Sequence, residues 1–148
     1  MAATRVEGFT IERMAEEILA VNEAGSEAYA LNQGAAAVFD LCDGRSSRAQ
    51  MAAEVRRRTG LPADEEIADL ALAELADAGL VDLDGQEPPA VTRRSLIRRL
   101  GLSSAAAMML PVVETVLLPS GAVAADVCVP HVRTPPPTPT PTPVPTIK

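Results

Sequence analysis

The chain of 148 residues holds one histidine, His131, and two cysteines, Cys42 and Cys128. His131 follows Cys128 by three residues, and two candidate ligands fall short of the three or four that a zinc site takes. One imidazole gives no Ser-His-Asp arrangement, and neither a glycine-rich phosphate loop nor a cluster of metal ligands is visible. Cys42 has no base near it in sequence and reads as a small buried apolar side chain rather than a nucleophile. Neither catalysis nor a cofactor is expected. The chemistry that remains is recognition through backbone edges, apolar faces and charge.

Charge and proline divide the chain. Residues 1–91 carry 18 acids and 7 arginines, whereas residues 92–148 carry 6 basic residues and 2 acids. Ten of the 13 prolines lie from Pro111 onward. The expected organisation is a flexible N-terminus over 1–8, a folded domain over 9–85, a linker over 86–91, a basic and apolar segment over 92–125, and a Pro/Thr-rich tail over 126–148. The acidic first half argues against binding a phosphate backbone, so no nucleic acid is expected. Two distant cysteines make no disulfide framework, and a cytoplasmic setting is expected for residues 1–91. With 2 % aromatic residues, the core of so small a domain must come from Leu, Val, Ile and Ala.

From Phe9 to Asn32 the pattern has period two. Glu16–Glu23 and Glu27–Gln33 read as strands joined by a turn around Gly25, and Phe9–Arg13 as a further strand. Asn32 caps a helix from about Gln33 to Leu41, and Gly44 is a left-handed stop. A second helix opens at Ser46 or Ser47 and runs through Arg58 to a stop at Thr59-Gly60. The third, in LPADEEIADLALAELADAGL, has Asp64, Glu65 and Glu66 in its first turn, where the helix dipole favours anions; Gly79 ends it, and Leu80–Gly85 is a short closing strand. Ala68, Ala71, Leu72 and Leu75 form its core stripe. Ile67 and Leu70 widen the apolar arc, either to meet the sheet or to serve as a binding row. The acids Asp64, Glu65, Glu66, Asp69 and Glu74 either solvate this helix or favour a ligand carrying Lys or Arg. Arg56-Arg57-Arg58 fits the C-terminal end of the second helix, where cations belong.

YALNQGAAAVFDLCDG, the Ser46-Ser47 helix start and IADLALAELADAGLV, taken in order over residues 9–85, resemble the PqqD-like family of RiPP recognition elements. The resemblance implies an α+β, winged helix-turn-helix-like domain: an N-terminal β-hairpin or three-stranded sheet plus three helices. It further implies a non-catalytic adaptor that binds the leader of a ribosomally made precursor peptide and presents it to a modifying enzyme, often a radical enzyme. The leader would add as a strand to the sheet edge and rest against the third helix. That assigns the edge to Glu27, Ala28, Tyr29, Ala30 and Leu31, and the wall to Ile67, Leu70, Ala71 and Glu74. The edge must then be open.

Thr92-Arg93-Arg94-Ser95-Leu96-Ile97-Arg98 resembles a twin-arginine export motif, here placed after a domain rather than at the amino terminus. An apolar helix is expected from Leu100 to Leu118, and Ala122-Val123-Ala124 resembles a cleavage site. Three readings fit: a membrane span, weakened by Pro111 and Glu114; an amphipathic helix on a membrane or a partner; or an exported, cleavable module, which includes the substrate of the attached domain. TPPPTPTPTPVPTIK favours a disordered, polyproline-like stalk. The competing functions are a winged-helix DNA-binding protein and a membrane-tethered docking protein.

Overall fold

The computed structural model describes residues 3–23 and 27–117. The turn at Gly25, the Ala122–Ala124 site, Cys128, His131 and the Pro/Thr-rich tail lie outside the described residues. The chain begins with a short strand, β1 (Thr4–Arg5). The alternating stretch then gives β2 (Phe9–Met14), β3 (Glu17–Asn22) and β4 (Glu27–Leu31), an antiparallel meander. Ile18 pairs with Leu31, and Ala20 pairs with Tyr29 and, on its other side, with Ile11. These residues therefore share one face of the sheet. Ile18, Ala20 and Leu31 are buried in the core there, and Phe9 meets Tyr29 edge to face at 6.0 Å.

Three helices follow where the capping residues place them. Helix α1 (Gln33–Asp40) starts at Asn32, whose side chain accepts from the Ala35 amide. Ala35, Ala36 and Ala37 are all buried, and their small side chains let α1 sit close to the sheet and to the two other helices. Helix α2 (Arg48–Thr59) opens with a capping box between Ser47 and Gln50 and closes on Gly60 at φ 75°. Helix α3 (Glu65–Asp77) is capped by Asp64. The strand after it, β5 (Val81–Asp82), pairs with β1 and not with the meander. Residues 3–8, expected to be flexible, thus include a paired strand. Ala3 is buried, the Arg5 amide donates to the Cys42 carbonyl at 3.2 Å, and the Val6 amide donates to the Leu80 carbonyl at 3.0 Å. An apolar side chain at position 3 and a backbone partner on each side outweigh the lack of a long strand pattern.

The basic segment corrects a second expectation. One apolar helix was expected from Leu100 to Leu118; the structure has α4 (Arg93–Leu100), α5 (Ser104–Met108) and a strand, β6 (Val113–Leu117). Gly101, at φ 58°, ends α4, Ser103 caps α5, and Pro111 has no amide to carry a helix onward. The Val112–Val116 run that follows is rich in β-branched residues, which favour extended backbone. The twin-arginine stretch forms α4, with Thr92 as its cap. Among the described residues no helix is long and apolar enough to cross a membrane. The fold is α+β, as expected: a four-stranded antiparallel sheet in the order β2-β3-β4-β6, a two-stranded β1-β5 pair, and helices packed on one core.

Candidate functional site

The edge and wall assigned from the sequence do lie side by side, but neither is open. Strand β6 lies antiparallel on β4, pairing Leu31 with Val113, Ala30 with Glu114, Tyr29 with Thr115, Ala28 with Val116 and Glu27 with Leu117. The rim expected to be free is occupied by the chain's own segment. The wall residues Ile67, Leu70 and Ala71 are buried, not an exposed apolar row. They belong to one core cluster with Leu96 of α4 and Leu110 before β6, both 0 % exposed.

The segment from Leu110 to Val113 is held at almost every backbone group. Asn32 Nδ2 donates to the Leu110 carbonyl at 2.8 Å. Asn32 Oδ1 accepts from the Val112 amide at 3.0 Å, and the Asn32 amide donates to the Val112 carbonyl at 3.2 Å. Asn32 and Val112 thus stand where an antiparallel ladder exchanges two hydrogen bonds, with a side-chain oxygen in place of the main-chain carbonyl, which already serves Ala36 in α1. By the alternation of such ladders, the Val113 amide points away from β4. It donates instead to Glu74 Oε2 at 2.9 Å. Glu74 Oε1 accepts from Arg93 at 3.1 Å, and Arg93 also donates to the Pro111 carbonyl.

Gly34 is the floor under this crossing. A Cβ built there would stand 3.0 Å from the Met109 carbonyl oxygen and 3.2 Å from the Pro111 nitrogen. The returning backbone passes where a side chain would be.

Charge follows the same geometry. Arg93 pairs with Glu74 late in α3, and Arg99 pairs with Asp64 and Glu66 at its start, so α4 runs antiparallel to α3. Of the acidic flank, open in sequence to solvation or to a basic ligand, Asp64, Glu66 and Glu74 here meet arginines of the C-terminal segment. Asp69 is paired with Arg48 of α2, yet burial raises its carboxyl above the usual range against that attraction. Beside β6 a cleft of about 710 Å³ opens between α4, α5 and β4, lined by Ala30, Ile97, Leu102, Ala107 and Met108 among others.

Sequence reasoning identified Asn32 as a cap but not as the holder of a second strand, and it gave Gly34 and Arg93 no role at this site. The signal for Gly34 was present, since a glycine in the first turn of an alanine helix weakens the helix unless something needs the space. Cys42 is buried, its thiol donates to the Val38 carbonyl at 3.3 Å, and burial pushes its pKa up to about 12. It is a core side chain. In the arginine triplet, Arg57 and Arg58 both bind Glu54, and Arg58 also binds Asp40. Among the described residues no group of three or more His, Cys, Asp or Glu is placed to hold a metal.

The family model for coenzyme PQQ synthesis protein D (PqqD) matches residues 17–81. The match runs from β3 to the start of β5 and takes in β4 and helices α1 to α3, while α4, α5 and β6 lie beyond it. No curated protein and no solved structure matches the chain.

Proposed function

We propose that this chain, whose residues 17–81 match the PqqD family model, is a non-catalytic adaptor that takes an extended peptide at the β4 edge and presents it to a peptide-modifying enzyme. The bound strand lies beside Glu27–Leu31, in the place that β6 holds, and reaches α3 at Glu74. The observation that supports this reading is the β4–β6 ladder: the edge accepts an extended segment over five residue pairs, and a peptide binds there in place of β6. Main-chain hydrogen bonds give such an interaction its strength, and the neighbouring side chains give it selectivity. A precursor peptide and its modifying enzyme are the implied partners.

The edge can be opened in the full chain without touching the core. Glu114 and Val116 are exposed, and the ladder alternation makes their amides the donors to β4. Replacing both by proline removes those donors. Selection of a displayed random 14-residue library on the E114P/V116P chain tests the reading. Enriched peptides that slow exchange of the Ala28 and Ala30 amides are expected. Failure to enrich any peptide at this edge overturns the adaptor reading.

A further inference from the structure

We propose that the ligand of this groove is carried on the same chain: residues 104–117 are the recognition strand, bound in cis. The inference rests on the peptide-adaptor reading and names the peptide. Five backbone groups of Leu110–Val113 are each met by a group of the domain or of α4: Asn32 takes three, Glu74 one and Arg93 one. Gly34 supplies the clearance this crossing requires. Leu110 and Pro111 are fully buried, while Glu114 to Leu117 are exposed apart from their pairing with β4. The segment therefore has an apolar anchor followed by a strand that lies on the surface, the two parts a strand-adding ligand uses.

The acidic side of α3 is paired with Arg93 and Arg99 of α4, so the stretch that leads to residues 104–117 is itself held to the domain. A tether also raises the effective concentration of the strand to about the millimolar range. A free peptide reaches β4 only by displacing it.

The test uses the full chain and a synthetic peptide with the sequence of residues 104–117, SAAAMMLPVVETVL. In the unaltered chain the Ala28 and Ala30 amides are expected to exchange slowly. In E114P/V116P they exchange at least 100-fold faster, and the synthetic peptide restores their protection at a concentration at least tenfold below that of a scrambled peptide of the same composition. Should the proline variant lose helical signal, E114G/V116G weakens the strand with its amides intact. Fast exchange at Ala28 and Ala30 in the unaltered chain overturns the inference, and so does equal binding of the scrambled peptide. If library peptides bind the opened chain while SAAAMMLPVVETVL does no better than its scramble, the cis assignment fails and the adaptor reading stands. If nothing binds, the adaptor reading itself fails.

Discussion

Asn32 Oδ1 accepts from the Val112 amide and from the Ala35 amide, at 3.0 Å in each case. One oxygen thus begins α1 and receives a strand 80 residues further along the chain. Helix capping and closure of the sheet depend on the same atom.

Asn32→Ala removes both bonds and the donor to Leu110. Loss of a cap alone costs about 0.5–2 kcal/mol, and two further partly buried hydrogen bonds add roughly 1 kcal/mol each. Asn32→Asp keeps the acceptor and loses only the amide donor. Urea denaturation should rank wild type above Asn32→Asp and Asn32→Asp above Asn32→Ala, with Asn32→Ala lower than wild type by about 2–4 kcal/mol. Equal stability of Asn32→Asp and Asn32→Ala would mean that the shared oxygen holds nothing.

Gly34→Ala ought to stabilise an ordinary helix by about 1 kcal/mol. Here the new methyl meets backbone atoms of Met109 and Pro111 at 3.0–3.3 Å, and buried backbone moves aside less readily than the end of a side chain. No gain in stability is expected, together with faster amide exchange at Val112 and Val113. A full helix-propensity gain with unchanged exchange would show that the returning chain does not cross α1 this closely.

Acid sensitivity has a definite sign at Glu54. Hydrogen bonds from Arg57 and then Arg58 hold its carboxyl down, from the usual 4.5 to about 2. Between these values the unfolded chain binds more protons than the folded one, so stability is present above pH 4.5 and is lost as pH falls toward 2. The solvent-facing pair is screened, which limits the effect to about 1 kcal/mol. Urea midpoints at pH 3 and pH 6 should differ less in Glu54→Gln than in wild type. An unchanged difference would remove Glu54 from the acid response.

Local signals carried the reading of residues 9–85 because each helix start is written in adjacent residues: Asn32 with Gln33, Ser47 with Gln50, Asp64 with Glu66. The sheet pattern carried Glu27–Leu31 for the same reason. The occupant of that edge was illegible, since pairing between Leu31 and Val113 joins residues far apart in sequence and leaves no local trace. Hydropathy also misled. An apolar run of Leu, Ala, Met and Val reads alike whether it enters a bilayer or a protein core, and only Gly101, Ser103 and Pro111 marked it as broken. Glu74 was placed on the wall, but besides Arg93 it holds the Val113 main-chain amide, which no residue type announces.

Leu110 and Leu117 separate a segment that completes the core from one that merely touches it. Leu110 is 0 % exposed and belongs to the core cluster, whereas Leu117, at the far end of β6, is 73 % exposed. Truncating a fully buried leucine to alanine removes transfer energy and leaves a cavity, at a cost of about 2–5 kcal/mol. The same change at an exposed site costs about 0.5 kcal/mol or less. Leu110→Ala should therefore lower the urea midpoint of the whole domain, with β2, β3 and α1 amides losing protection together, while Leu117→Ala leaves it unchanged. If Leu110→Ala released only β6 and left the domain's midpoint intact, Leu110 would anchor the strand without completing the core.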